Sequence, residues 1–161
     1  MSAQLALPEY DPSAGYILGP ALTVSLVREG RGTVSGAVLA PAAAAAELLA
    51  RVPDDGRERS GCVFLNVRRE PTAIYTVSVG TLTASLVHPR ELFAPAIAGL
   101  ADALILWHTH PSGNPEPSAE DVSMTRRMVA AGALLGITVL DHLILAHGTR
   151  RWVSLQEKGQ M

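Results

Sequence analysis

Hydrophobic residues change their period several times along the chain, and each change marks an element. Residues 22–28 and 61–67 are short apolar runs of strand length, and 73–81 alternates around Tyr75, Val77 and Val79. The second and third of these are spaced to form an antiparallel hairpin. Residues 38–52 are rich in Ala and Leu, with Pro41 near the start where a missing N–H donor is tolerated, which predicts a helix. Over 91–100, Leu92, Phe93, Ala96, Ile97 and Leu100 share one helical face, and Pro95 makes that helix short or kinked. Residues 103–109 predict a strand ending at His108, Thr109 and His110, because Pro111-Ser112-Gly113-Asn114-Pro115 cannot continue one. From Ser118 onward Val122, Thr125, Met128, Val129, Gly132 and Leu135 recur at helical spacing and stop at Gly136, a residue suited to a left-handed cap. Residues 137–145 and 152–155 predict the last strands, about a turn at Gly148. Strands and helices mix without a strict βαβ rhythm, so the expected fold is an α/β sandwich around a mixed sheet. The first twenty residues have no period and are expected as an arm, with Tyr10 and Tyr16 packing on a single domain over 21–161.

Composition narrows the class. The 161 residues suffice for one core, and 48% hydrophobic with 17% charged residues excludes a disordered chain. A lone Cys62 excludes a disulfide framework, Cys-rich zinc ribbons and the paired-Cys site of nucleobase deaminases. It lies in an apolar run, as a buried small hydrophobe does. No basic start leads into an apolar core at the N-terminus, so a cytoplasmic protein free of the membrane is expected. The net charge of -2 is not the footprint of a dedicated nucleic-acid binder. The pairs Arg68-Arg69, Arg126-Arg127 and Arg150-Arg151 would hold phosphates only if they converged.

The chemistry concentrates around the two histidines. Imidazoles two residues apart at a strand end project from one face, which is chelating geometry. The sharp turn that follows brings Asp121, eleven residues after His110, into the first turn of the next helix. Two His and one carboxylate leave a tetrahedral zinc ion with one open position, where a water falls to a pKa of about 7. Each part has a plainer reading. His-x-His also fits satisfied core histidines, and Ser118 to Asp121 also fits an N-cap box. Asp141 and His142 read as a structural pair, His88 and His147 as loop or surface groups, and Trp107 as core on the opposite strand face.

His108-Thr109-His110-Pro111, then Ser118 and, three residues on, Asp121, resembles the signature of the JAMM (JAB or MPN) metallopeptidase superfamily. His88-Pro89-Arg90-Glu91, the run from His108 to Ser118, and Leu140-Asp141-His142 are similar to its RadC branch, over residues 58–155. The resemblance implies a JAB/MPN-like mixed sheet flanked by helices, a three-layer sandwich of the cytidine-deaminase kind. It implies one Zn²⁺ per chain on His108, His110 and Asp121, and hydrolysis of a peptide or isopeptide bond in a protein or peptide substrate. It further implies Glu58 as general base to the water, with Glu70 and Glu91 as fallbacks, and Ser118 as donor to the oxyanion. Thr109 stands where RadC proteins often carry Asn, and no counterpart of their helix-hairpin-helix region is evident before Arg57. Two other readings are a non-catalytic MPN-type interaction module and a DNA-associated RadC-like factor. Nucleic acid has weak support as a partner, and oligomeric state is open.

Overall fold

A computed structural model describes residues 40–80 and 87–161. The expected arm at 1–20, the strand at 22–28, the first residues of the helix at 38–52 and the last residue of the strand at 73–81 lie outside the described residues. Helix α1 (Pro41–Arg51) begins on its proline and precedes strands β1 (Arg59–Leu65) and β2 (Pro71–Val79). Helix α2 (Pro89–Ala98) follows, then β3 (Ala103–His110), α3 (Ala119–Leu135), β4 (Thr138–Ala146) and β5 (Trp152–Ser154).

The β1–β2 hairpin turns earlier than the apolar run suggests, because Asn66 closes it. The Asn66 side-chain oxygen accepts from the amides of Arg68 and Glu70, which ends β1 at Leu65 and leaves Val67 in solvent. The five strands make one mixed sheet in the order β2-β1-β3-β4-β5. β1 runs antiparallel to β2 and β3, β3 and β4 are parallel, and β4 and β5 are antiparallel. The parallel pair is joined through α3, which stops at Gly136 in the left-handed conformation (φ 71°) that a glycine adopts without strain.

Side chains alternate across the central strands and build two cores. Cys62, Phe64, Leu104 and Leu106 pack with Leu92, Phe93 and Ala96 of α2 and with Met124 and Met128 of α3. On the other face Val63, Leu65, Ile105, Trp107, Leu143 and Leu145 pack with Ala44, Ala45 and Leu48 of α1. The result is the expected three-layer sandwich. Trp107 is core on the α1 side, as its alternation with His108 requires. Gly61 makes room for it, since a Cβ there would collide with the indole and with the Tyr75 carbonyl. No described helix is long and apolar enough to cross a membrane.

Candidate metal centre

The C-terminal end of β3 meets the N-terminal end of α3, in the crevice where open α/β sheets bind ligands. His108 and His110 share a face of β3 there. Their Nε2 atoms lie 2.8 Å apart. Ser118 caps α3 through a reciprocal box, its Oγ accepting from the Asp121 amide at 3.1 Å while Asp121 Oδ2 accepts from the Ser118 amide at 2.8 Å and hydroxyl at 2.6 Å. The box fixes the carboxylate rotamer. Asp121 Oδ1 then sits 3.2 Å from His108 Nε2, and Oδ2 sits 3.6 Å from His110 Nε2. The capping and ligand readings of Ser118 and Asp121 are thus one arrangement.

His110 Nδ1 lies 2.8 Å from the Asn114 carbonyl, which only accepts, so that nitrogen carries a proton and, in the neutral ring, Nε2 keeps a lone pair. That lone pair faces a second ring nitrogen and a carboxylate. Donors about 2.0–2.1 Å from a tetrahedral ion are roughly 3.3 Å from one another, and the separations of 2.8, 3.2 and 3.6 Å bracket that value. The donor atoms of all three residues fall within 4.8 Å of one another, so the trio could hold a metal ion.

The electrostatics favour positive charge among these groups, whether a metal ion's or a second proton's on His110. Burial works to raise the Asp121 carboxyl, but the imidazoles of His108 and His110 and the Ser118 hydroxyl outweigh it and hold the group well below the ordinary range. Asp121 in turn raises His110, against the pull of burial and with help from the Asn114 carbonyl and the charge of Glu58. His110 keeps 19% of its side chain exposed against 3% for His108 and 4% for Asp121, so solvent reaches the trio on the His110 side.

The profile of the RadC-like JAB domain matches residues 38–160, from α1 past β5. The chain belongs to the RadC-like JAB domain family. It is 52% identical over 103 residues to a UPF0758 protein of Caldanaerobacter subterraneus, covering 64% of this chain and 43% of that one. A UPF0758 protein of Listeria welshimeri is 42% identical over 125 residues (70% of this chain, 55% of that one), and one of Alkaliphilus metalliredigens is 50% identical over 105 (65% and 44%). The chain spans about half the length of these relatives.

Within this RadC-like domain, Glu58 immediately precedes β1. Ser60 pairs with His108, so the antiparallel register continued by two residues sets Glu58 beside His110. Glu58 lines a small cavity with Ser60, His108 and Met124, and its backbone carbonyl accepts from the Gly80 amide at 2.9 Å. The two fallback acids are engaged elsewhere. Glu70 bonds Asn66 at the far end of β1, and Glu91 completes the α2 cap with His88. Ser118 is exposed at the site, with its hydroxyl hydrogen on Asp121, so donation to an oxyanion requires that hydrogen to be released.

His147 lies in the turn after β4, as expected of a loop group, with 8% of its side chain exposed and Nδ1 3.2 Å from Asp54 Oδ1. The structure corrects one expectation. Asp141 and His142 are joined only through the His142 amide, and their side chains do not meet. As strand neighbours they face opposite ways, Asp141 accepting from the Ser154 hydroxyl and the His142 and Gln156 amides, while His142 stands against His108. Arg68-Arg69 and Arg150-Arg151 do not converge, since they follow strands at opposite ends of β3. A cavity of about 700 Å³ lined by Leu49, Asp54, His147 and Trp152 opens behind Thr109. None of the side chains of His108, His110 and Asp121 lines it.

Proposed function

We propose that this RadC-like domain is a zinc-dependent hydrolase that cleaves a peptide or isopeptide bond of a protein or peptide substrate. The observation that supports it is the facing of two imidazole nitrogens and a carboxylate, three electron-rich groups within 2.8–3.6 Å and open to solvent on one side. A degenerate interaction module has no need to retain that trio. His108, His110 and Asp121 would hold the ion, and the mixed nitrogen and oxygen donor set suits zinc. Bound there, zinc supplies Lewis acidity toward a substrate carbonyl and toward water.

The remaining steps fall to the chain. Glu58 takes a proton from the water whose oxygen attacks the carbonyl carbon, and returns it to the amine nitrogen as the C–N bond breaks. Ser118 turns its hydrogen from Asp121 to the carbonyl oxygen as charge builds there. Zinc-loaded protein, incubated in ¹⁸O-water with linear and isopeptide-linked peptide libraries, should yield new carboxyl termini carrying one heavy oxygen. Glu58→Gln should keep zinc and lose the label, and Asp121→Asn should lose both. Unlabelled libraries with fully zinc-loaded protein would overturn the reading, and a fully active Glu58→Gln would remove Glu58 from it.

A further inference from the structure

Behind the trio runs a line of hydrogen bonds through three buried side chains, from His108 on β3 through His142 on β4 to Thr125 on α3. His108 Nδ1 is 2.8 Å from His142 Nε2, His142 Nδ1 is 2.5 Å from Thr125 Oγ1, and Thr125 Oγ1 is 2.6 Å from the Asp121 carbonyl. Exposure is 2% at His108, 1% at His142 and 0% at Thr125, so water does not complete the valences.

The direction of each bond follows from the last. A carbonyl only accepts, so the single Thr125 hydrogen goes to Asp121. Thr125 Oγ1 must then accept from His142 Nδ1–H. With its Nδ1 hydrogen on Thr125, a neutral His142 ring, the form its burial favours, accepts at Nε2 from His108 Nδ1–H. His108 Nε2 is left with a lone pair, aimed at His110 and Asp121.

We propose that His142 and Thr125 are positioning residues that lock His108 in the tautomer able to bind a metal through Nε2. The inference rests on the metal-site reading above and not on the bond that is hydrolysed. The relay begins at one ligand and ends on the backbone of another, so β4 and α3 together set the donor atoms.

Long-range ¹H–¹⁵N spectra of the metal-free full chain test the relay alone, and should show both His108 and His142 protonated at Nδ1. His108 protonated at Nε2 would overturn it. Zinc affinity by chelator competition should fall about tenfold or more in Thr125→Val and return in Thr125→Ser, which restores the hydroxyl. Met128→Ala, a core truncation on the same helix outside the relay, should lower the melting temperature and leave zinc affinity unchanged. A Thr125→Val protein with native zinc affinity, or a Met128→Ala protein with the same loss of affinity, would sink the proposal. Wild-type protein that takes up no zinc while showing the expected tautomers would instead count against the functional reading.

Discussion

Thr109 Oγ1 accepts the Arg59 amide at 2.9 Å and donates to the Arg57 carbonyl at 3.3 Å. The side chain between the two histidines therefore points away from them and grips the backbone on both sides of Glu58. Arg57 and Arg59 are also drawn together by their side chains, which share Asp55 and hold its carboxyl well below the usual range. In a hydrolase with Glu58 as base, Thr109→Val should leave zinc content unchanged and lower turnover about tenfold. Thr109→Ser should recover it. Faster hydrogen exchange at the Arg59 amide in the Val variant would report the freed segment, and unchanged exchange would show that Thr109 does not hold it.

Ser118→Ala should weaken helix and site together. The hydroxyl satisfies the Asp121 amide and also anchors Asp121 Oδ2, so its loss removes a cap at a cost of about 1 kcal/mol. It also frees the carboxylate to rotate, and zinc affinity should drop roughly tenfold. Ser118→Thr, which can make both bonds, should stay near wild type. Thermal melts with and without zinc separate the two effects, and an Ala variant with native zinc affinity would show that the Ser118 amide alone suffices.

The reach of the sequence into this site has a physical limit. His108, His110, Asp121 and Ser118 were legible because strand alternation, a Pro/Gly turn and a capping box are all local, encoded within fourteen residues. The strands β3, β4 and β5 and the helix α3 were legible for the same reason. His142 and Thr125 were not, because their meeting with His108 depends on the parallel β3–β4 register and its shift between Leu104 and Ile105. That shift decides that His142, and not Asp141, shares the face of β3 that carries His108, and nothing in Leu140-Asp141-His142 taken alone announces it. Glu58 was reached by resemblance, since its place beside the histidines comes from an antiparallel pairing across fifty residues.

Cys62 should be inert in the native protein and should impose a pH dependence. It is 0% exposed in β1, and burial pushes its thiol well up. The folded state thus keeps its proton where the unfolded chain, with a thiol pKa near 8.5, releases it. The native pKa is the higher one, so the contribution is fully present below about pH 8.5 and is lost as pH rises through the range above. The loss should approach ~1.4 kcal/mol per pH unit above about pH 9. Denaturant titrations from pH 8 to 10 should show this steeper decline in wild type than in Cys62→Ala, and alkylation should proceed only as fast as the chain opens. Rapid labelling of native protein would contradict the burial.

Zinc should stabilise a chain that is already folded without it. The cores on the two faces of the sheet are built from side chains other than the three ligands, and neither needs the ion to close. Metal-free protein is therefore expected to melt cooperatively. Zinc at 100 times its dissociation constant adds about 2.7 kcal/mol by mass action, if it binds only the native state. For a domain of this size that is a rise in Tm of roughly 5–10 °C. Asp121→Asn should abolish the rise, because an amide in place of the carboxylate loses the charge that the trio offers a cation. Calorimetry with and without chelator decides the matter. A metal-free chain lacking a cooperative transition would show that the fold itself depends on the ion, contrary to the two closed cores.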